Sequence, residues 1–584
     1  MLKSETPQRK RPISAHGRGP VQQGEPTTNS VGRDEMAQKN LDLPDPSRAP
    51  TRSPTLQTIS PDSVAIADCE RLPSKGLHWV RYACGLGSLG LTLTVLILIL
   101  ARLPRECDNE WVESSMAHSA LRILNGNPLY GPPTIEYVGD NYPPVYFYLC
   151  AGLMTLCGPS VMACRLASVI STFAIAIGIW MLGKSRSNHP SPRETQWARL
   201  VCVGLFFAFY AAGGQVYDLA RVDMTAIAFA VWSVVIFIRF EGRWTPIVAG
   251  VLMGLAILTK HNMVMVGVAL GVGLLIFRWR QAVVYGLFSA GLPLIVFALL
   301  EATTNGWSSF YLLTQPSLHP FGGGGRWIRF VAEDLNHHGL VMVIGMIAGG
   351  TILLKKWPRE ADWHRTVLLL LTAVGGLLVT LIARLKAGGF SNNLCPMWIF
   401  GLMAMAWMLP RLSSNDGRFH TGTVRRPSRL QWICWTMVLV QLVSLSRSFA
   451  ELPWQSWLAA GEKRQAVTEL DAIVSHHEAD GPVWIPSHSF EAFAHQCPAG
   501  FLMDAPGFQA KTLFESDLVA HLRNKTWSAV ILNGSRDRFV SELSWQSLIE
   551  NYEEIELPIK NPQENTTLTG KRTFPQRLFV RRAS

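Results

Sequence analysis

PPVYFYLCAGLMTLC, residues 143–157, is the apolar run that decides how this chain crosses a membrane. A helix needs about 20 apolar residues to span a bilayer, and this run is shorter. Pro143 and Pro144 precede it, and Gly158 and Pro159 follow it. The other apolar segments are candidate spans, and they lie at 83–102, 161–183, 199–215, 223–239, 245–260, 263–277, 281–300, 339–354, 366–383, 393–410 and 430–446.

The basic residues decide how the run 143–157 is counted. If this run does not cross, the polar N-terminus and every basic loop fall on one side of the bilayer. The basic loops lie at 184–193, 239–243, 278–280, 355–365 and 411–429. Cytoplasmic loops carry an excess of Lys and Arg, so this side is predicted to be the cytoplasm. The run is then a juxtamembrane or re-entrant helix inside a long outer loop, 103–160, where protein or water satisfies its ends.

The composition indicates a membrane protein with a polar N-terminal region. The chain has 584 residues, of which 48% are hydrophobic and 16% are charged, whereas soluble proteins carry about 25% charged residues. Residues 1–75 are rich in Pro, Ser, Thr and Arg, and we expect a disordered cytoplasmic tail there. Residues 76–446 form the predicted transmembrane domain. The predicted fold is a polytopic α-helical membrane protein with about eleven transmembrane helices.

The last part of the chain, 447–584, is predicted to be a small extracytoplasmic α/β domain. Strand character is found at 481–486, 528–533 and 577–582, and helical spacing at 512–524 and 541–552. This part contains no nucleophile motif and no phosphate-binding loop, which is typical of a lid or an acceptor-docking domain.

The positive net charge does not indicate nucleic acid as a partner. The chain carries a formal charge of +11, but its basic residues lie mainly in the N-terminal tail and in the short loops, where topology explains them. It has no nucleic-acid-binding motif. No cysteine or histidine pair has the spacing of metal ligands, so we predict neither a metal nor a cofactor.

Charged residues of both signs collect at the predicted outer ends of the apolar segments. They are Asp108, Glu110, Glu113, Asp218, Arg221, Asp223, Lys260, His261, Arg384 and Lys386. Charge at membrane depth is costly, so a one-sided collection of this kind indicates a functional site. The structural alternatives are an interfacial helix with solvated acids, an ion pair that only joins loops, and cations that extend to the interface from helix ends.

Sugar transfer from a polyprenyl phosphate is a reaction that uses these residue types. A carboxylate acts as general base on an acceptor hydroxyl. Lys and Arg stabilise the charge that develops on the departing phosphate. A single displacement of this kind inverts the anomeric centre. The sequence therefore predicts an inverting glycosyltransferase, whose donor is its substrate rather than a cofactor.

Four motifs carry a resemblance to a known family. After the acids come NGNPLYGPP (125–133), YPPVYFYLCAGLMTLCGPS (142–160), ACRLASVIS (163–171) and ARVD (220–223). In this order they resemble GT-C type polyprenyl-phosphate-sugar glycosyltransferases, family 39-like, in the branch of the protein O-mannosyltransferases and the lipid A aminoarabinose transferases. The resemblance spans roughly 83–400.

The resemblance implies a GT-C-like fold and roles for several residues. One acid of the outer loop is the catalytic base, and Asp223 supports the acceptor or sugar site. Basic residues such as Arg221, Lys260 and Lys386 lie near the lipid phosphate. Residues assigned to substrate binding are Asp218, Arg221, Lys260, His261, Arg384, Lys386 and Tyr142, the first residue of the Tyr-Pro-Pro motif.

The identity of the base stays open at this point. The family often has adjacent Asp and Glu, whereas here Asn109 separates Asp108 from Glu110, and Glu113 follows. The order of preference is Asp108, then Glu110, then Glu113.

The partners implied are membrane lipid, a lipid-linked sugar donor, and a glycan, lipid or protein acceptor. We expect a multi-pass protein of the inner or plasma membrane, with its active site and C-terminal domain outside the cytoplasm. The alternative is a transporter or flippase of a lipid-linked or anionic solute, which would place charges near the bilayer midplane on broken helices. A third possibility is a non-catalytic membrane scaffold.

Overall fold

The computed structural model describes eleven stretches of the chain, all in one compact unit, Ala67–Ser584. They are residues 72–105, 108–183, 192–355, 363–386, 388–413, 429–452, 454, 460–486, 509–532, 541–559 and 575–582. The predicted disordered tail lies outside the described residues, apart from residues 72–75, which begin the first helix.

The described part of the chain is mostly helical. Its longer α-helices are α1 Leu72–Arg102, α2 Glu113–Leu124, α3 Val145–Cys157, α4 Val161–Leu182, α5 Pro192–Ala208, α6 Val222–Arg239, α7 Thr245–Ile257, α8 Val264–Phe277, α9 Trp279–Thr304, α10 Leu340–Lys355, α11 Trp363–Leu385, α12 Cys395–Ser413, α13 Arg429–Ala450, α14 Ala460–Glu478, α15 Gln509–Arg523 and α16 Glu542–Asn551. Shorter 3₁₀ turns precede α6, α8 and α12, at Val216–Asp218, His261–Met263 and Ser391–Leu394.

Between α9 and α10 the chain forms short α-helices and two π-helical stretches. The α-helical pieces are Trp307–Ser309, Gln315–Ser317 and Gly324–Arg329. The π-helical stretches are Phe310–Thr314 and Phe330–Gly339.

The polytopic helical fold predicted from the sequence is confirmed. Among the described residues, seven helices are long and apolar enough to cross a membrane, namely Gly76–Arg102, Val161–Leu182, Val222–Arg239, Trp279–Thr304, Trp363–Leu385, Ser391–Arg411 and Gln431–Ala450. The bent pair Gly324–Asn336 and Leu340–Leu354 adds an eighth if it is counted as one span. The remaining predicted segments, 199–215, 245–260 and 263–277, fall largely on the shorter helices α5, α7 and α8.

The run 143–157 forms helix α3, and its predicted position outside the bilayer stays a prediction. Its 13 residues extend only about 20 Å at 1.5 Å per residue. Arg165, near the start of α4, donates from Nη1 to the carbonyl oxygen of Arg105 at 2.5 Å. Arg105 lies just beyond the end of α1, so the chain leaves α1 and enters α4 at the same level. The loop 103–160 therefore returns to the side on which it began.

Small residues allow the apolar helices to approach closely, as is usual between membrane helices. Gly204 of α5 lies against Ser88 of α1, where an added Cβ would be 2.1 Å from the Ser88 Cβ and 2.7 Å from its Cα. Gly178 of α4 lies against Val231 of α6, with a corresponding distance of 2.7 Å to Cγ1. These contacts fix α1 against α5 and α4 against α6.

The C-terminal part contains the predicted small α/β domain. Its four-stranded sheet has the order β1-β2-β4-β3, with β1 Val483–Trp484, β2 Ala529–Leu532, β3 Tyr552–Ile555 and β4 Arg577–Arg581. β1 and β2 are parallel, and β4 is antiparallel to both β2 and β3. Leu470 of α14 packs with Val483, Ile531 and Leu578 in one buried cluster. The boundary predicted at residue 447 stays a prediction.

Candidate active site

Four charged side chains form a continuous network, which we call the charged cluster: Glu110, Arg221, Asp223 and Lys260. Arg221 Nη1 lies 3.0 Å from Glu110 Oε2, and Arg221 Nε lies 3.3 Å from Asp223 Oδ2. Lys260 Nζ lies 2.8 Å from Asp223 Oδ1. Two carboxylates and two cations that the sequence places in three separate segments are thus within contact distance of one another.

The charged cluster forms where several helices begin or end. Arg221 is the extended residue that precedes α6, and Asp223 lies in the first turn of α6, where the helix dipole favours an acid. Lys260 follows α7 in extended conformation. The N–H of Val145, the first residue of α3, donates to the carbonyl of Leu258 at 3.1 Å. The start of the non-crossing helix therefore lies beside the chain that carries Lys260.

Glu110 has the chemical environment of a base. Its side chain is 1% exposed. Burial raises the pKa of Glu110, although Arg221 acts in the opposite direction. Its Oε2 accepts from Arg221 and from the N–H of Val112, whereas its Oε1 is buried with no hydrogen-bond partner among the described residues.

Asparagines that sequence reasoning missed complete the charged cluster. Asn392 Nδ2 donates to Asp223 Oδ1 at 2.9 Å, and Lys260 Nζ donates to Asn393 Oδ1 at 3.3 Å. Both asparagines follow the turn that was identified from Arg384 and Lys386. Neutral amides are invisible to a search for rare charges, so only the folded chain reveals this contact.

Glu113 lies beside the charged cluster in a fully satisfied ion pair. Its carboxylate accepts from Arg165 Nε at 2.9 Å and from Arg165 Nη2 at 2.7 Å, and both side chains are fully buried. It also accepts from the backbone N–H groups of Asn109, Glu110 and Ala220. Burial would raise the pKa of Glu113, but Arg165 and these donors hold it below its ordinary value. The sequence prediction did not include Arg165, although it lies in the quoted motif 163–171.

Two predicted binding residues pair elsewhere. Asp218 is buried and accepts from Tyr210, and its Oδ2 lies 3.3 Å from Arg102 Nε. Burial raises the pKa of Asp218, and Arg102 opposes this shift. Arg384 makes a bidentate pair with Asp334 at 2.7 and 3.0 Å. Neither residue contacts the charged cluster in the interactions that the structure gives them.

The other predicted residues surround the charged cluster. Asp108 is buried and accepts from Ser114 Oγ at 2.7 Å. Tyr142 is half-buried and lies close enough to Arg221 to interact with its charge. His261 is exposed and lies within electrostatic range of Lys260 and Lys386.

Lys386 is a cation without a carboxylate partner in the described part of the chain. Its Nζ donates to the carbonyl of Pro316 at 3.2 Å and lies 5.3 Å from the centre of the Phe321 ring. Since the charged cluster contains two cations and two carboxylates, its formal charge sums to zero. Lys386 therefore supplies the positive charge that is not already balanced nearby.

A fourth buried acid, Asp140, lies on the loop 103–160. Its oxygens accept from Ser115 Oγ at 2.9 Å and from Ser119 Oγ at 2.6 Å. Burial raises the pKa of Asp140 to about 6, although the two serine hydrogen bonds oppose this shift. Sequence reasoning overlooked this residue, because it lies 25 residues from Ser115 along the chain.

No three His, Cys, Asp or Glu side chains in the described stretches lie close enough together to hold a metal ion. The absence of a metal and of a cofactor stays a prediction.

An apolar cleft lies between α10, α12 and α13, with an empty volume of about 540 Å³. Most of its lining is aliphatic, aromatic or methionine, and Trp398 belongs to it. Trp398 lies in the first turn of α12, directly after the turn that carries Asn392 and Asn393. Trp398 itself stacks on Phe209 of the loop that follows α5 and donates to the carbonyl of Leu205.

Comparisons with known proteins support the fold. A family model described as dolichyl-phosphate-mannose-protein mannosyltransferase matches residues 141–301. ArnT from Cupriavidus metallidurans bound to undecaprenyl phosphate superposes with a TM-score of 0.53 at 12% identity, covering 85% of this chain and 98% of that one. The apo form of the same protein gives a TM-score of 0.52 at 12% identity, covering 84% of this chain and 97% of that one. No curated protein matches the sequence.

The structure has a fold of the GT-C type, and a part of the chain, residues 141–301, matches the mannosyltransferase family model. Within that class the chain is similar to the protein O-mannosyltransferases and to ArnT, and the resemblance read from its motifs is confirmed. The matched segment 141–301 contains Arg221, Asp223 and Lys260.

Proposed function

We propose that this protein transfers a sugar from a polyprenyl-phosphate donor to an acceptor hydroxyl, with inversion at the anomeric carbon. The observation that carries the proposal is the charged cluster, in which a buried carboxylate and two cations meet. The acceptor oxygen attacks the anomeric carbon as the bond from that carbon to the phosphate oxygen breaks. The hydroxyl proton passes to the base, and the polyprenyl phosphate leaves with the bonding electrons.

We assign the base to Glu110. A general base needs a free oxygen within reach of the hydroxyl and a pKa closer to neutrality than that of an ordinary carboxylate. Glu110 Oε1 is without a partner in the described residues, and burial raises the pKa of this residue. Glu113 meets neither requirement, because Arg165 and three backbone N–H groups occupy its oxygens. Asp108 is the next candidate, and it stands only two residues away.

We assign the lipid phosphate to Arg221, Lys260 and Lys386, with Asp223 orienting the first two. A sugar phosphodiester carries one negative charge and the released phosphate carries up to two, so the site must stabilise more anion as the reaction proceeds. Lys386 provides the unbalanced cation. The guanidinium of Arg221 contacts Asp223 through Nε and Glu110 through Nη1. Its Nη2 pairs with no other group of the described residues, so this nitrogen is available for a phosphate oxygen.

The apolar cleft beside Trp398 suits the isoprenoid tail of such a donor. ArnT has been determined with undecaprenyl phosphate bound, and the proposal extends that ligand chemistry to this chain. The acceptor is a hydroxyl on a glycan, lipid or protein. The reaction takes place on the predicted outer face of the cell membrane, opposite the basic loops.

Mass spectrometry of the lipids that co-purify with the protein tests the donor. We expect a polyprenyl-phosphate sugar, and Lys386→Glu should lower its recovery, because the unbalanced cation becomes an anion. Lys525→Glu is a matched control, because Lys525 also donates to a backbone carbonyl, that of Arg582, and lies in the C-terminal domain. Equal recovery from both variants would contradict the phosphate assignment.

Transfer itself is tested with a radiolabelled polyprenyl-phosphate sugar pool extracted from membranes of the producing cells, measured as label passed to other membrane components. Glu110→Gln should abolish most of this transfer. The same labelled pool, placed in membrane vesicles with the protein, distinguishes the enzyme from the transporter alternative. A flippase moves the labelled lipid between leaflets without cleaving it. Lipid movement without label transfer would replace the enzyme assignment.

A further inference from the structure

The strongest feature without an assigned role is a set of contacts from α4. They reach both parts of the chain that form the Glu110–Arg221 ion pair: the turn that carries Glu110 and the segment that carries Arg221. Arg165 and Ser168 are three residues apart on this helix and therefore lie on one face. Arg165 contacts the segment that carries Glu110, through Arg105 on one side of it and Glu113 on the other. Ser168 contacts Arg221 itself, because its Oγ donates to the Arg221 carbonyl at 3.1 Å.

Arg165 holds the turn that carries Glu110 through its ion pair with Glu113. Its Nη1 donates to the carbonyl of Arg105, and its Nε and Nη2 donate to Glu113. The same Glu113 carboxylate accepts the backbone N–H of Glu110 at 3.3 Å and that of Asn109 at 2.5 Å. The turn that presents the Glu110 side chain is thus tied to α4 from both ends.

The backbone at Arg221 is held by two hydrogen bonds, one on each side of the Ala220–Arg221 peptide group. Glu113 Oε1 accepts from the N–H of Ala220 at 2.8 Å. Ser168 Oγ donates to the carbonyl oxygen of Arg221. Glu110 and Arg221 therefore reach each other from backbones that are both fixed to the same turn of α4.

We propose that Arg165, Ser168 and Glu113 are positioning residues that set the distance between the base and the phosphate-binding arginine. This inference rests on the proposed function, and it gives the Arg-x-x-Ser part of the motif 163–171 a physical role. None of the three needs to touch substrate. A shift of about 1 Å in the position of a reacting group can cost about 10²-fold in rate, so loss of these ties should reduce turnover.

Ser168→Ala is the informative variant, because removing Arg165 or Glu113 leaves a buried charge without its partner, which destabilises the protein as a whole. The matched control is Ser171→Ala. Ser171 is also buried on α4, three residues further along, and donates to the carbonyl of Ala167 and to Thr225 Oγ1 at 2.7 and 3.0 Å. Each variant loses one buried hydroxyl, but only Ser168 contacts Arg221.

The measurements are the transfer rate at saturating labelled donor pool, the KM for that pool, and the thermal unfolding midpoint of the full chain in detergent. We expect Ser168→Ala to lower the rate about tenfold or more relative to Ser171→Ala, with KM within about twofold, since the shift affects orientation rather than binding. The two unfolding midpoints should agree.

Equal rates in the two variants would overturn the positioning role. That result is separable from failure of the proposed function, which Glu110→Gln tests in the same assay. If Glu110→Gln abolishes transfer while Ser168→Ala matches Ser171→Ala, only the positioning inference fails.

Discussion

At the scale of the residue, the meaning of each acid in the loop 103–160 depends on its partners. Asp108, Glu110 and Glu113 lie within six residues of one another in the sequence and look equivalent there. In the structure Glu113 accepts from Arg165 and three backbone groups, Glu110 keeps one oxygen open, and Asp108 accepts from a serine. Pairing therefore separates a base from a structural acid.

Glu110→Gln should lower the transfer rate by about 10²-fold or more, because a general base contributes about 10²–10⁴-fold. Asp108→Asn should have the smaller effect. In the wild type, activity should fall as the pH drops through the pKa of Glu110, at a pH above the ordinary glutamate value of about 4.3, because protonation removes the base. Initial rates across pH 4 to 8 measure this. A larger loss in Asp108→Asn would move the base to Asp108.

The buried acid Asp140 should make stability depend on pH. Its pKa in the folded protein is about 6, above the ordinary aspartate value of about 3.9. A group with a raised pKa contributes stability below its unfolded value, and this contribution is lost as the pH rises through the folded value. As the pH rises from about 4 to about 6, the thermal midpoint of the wild type should therefore decrease relative to that of Asp140→Asn.

Thermal unfolding in detergent at several pH values checks the role of Asp140. Asp517→Asn, on the exposed surface of α15, is the control and should follow the wild type. A difference between wild type and Asp140→Asn that stays constant over this range would contradict the prediction.

At the scale of the element, close helix contacts fix where the site residues stand. The contact of α1 with α5 depends on Gly204, and α1 leads directly into the loop that carries Glu110. A side chain at this position must displace backbone of α1 rather than the end of a flexible side chain.

Gly204→Ala should therefore destabilise the protein by about 1–3 kcal/mol, the usual cost of overpacking a well-packed core. Gly286→Ala in α9 is the control, because an added Cβ there meets nothing within 4 Å. Thermal midpoints of the two variants in detergent give the comparison. A Gly204→Ala protein as stable as Gly286→Ala would mean that α1 and α5 are not in this contact.

At the scale of the whole molecule, the charged cluster depends on the loop 103–160 beginning and ending at the same level. The ends of α1 and α7 and the starts of α3, α4 and α6 share hydrogen bonds or ion pairs. An additional crossing would place Glu110 and Arg221 at opposite ends of the helical bundle.

Reporter fusions test this arrangement. A reporter fused after residue 157 should give the same side as one fused after residue 452, and the opposite side to one fused after residue 183. The physical reason is that the start of α4 contacts the end of α1, so the intervening chain begins and ends at the same level, whereas α4 is long enough to span. If the reporters fused after residues 157 and 183 lay on the same side of the membrane, α3 rather than α4 would have to be the crossing helix.

The sequence by itself determined the polytopic helical fold, and it predicts the non-crossing run and the side on which the charges meet. These follow from hydropathy and from the cost of placing charge in a membrane, which act on each segment locally. It also located three of the four described strands of the C-terminal domain, because alternation and turn residues are local signals, but it missed β3, Tyr552–Ile555.

Only the tertiary structure decided which charges pair with which. Arg165 with Glu113, Asn392 with Asp223 and Ser168 with Arg221 are contacts across 52, 169 and 53 residues. Such pairings arise from the packing of helices that are distant in sequence, and a single sequence holds no signal for them. Burial then fixes which carboxylate is left with an open oxygen, because that depends on the neighbours that folding brings to it.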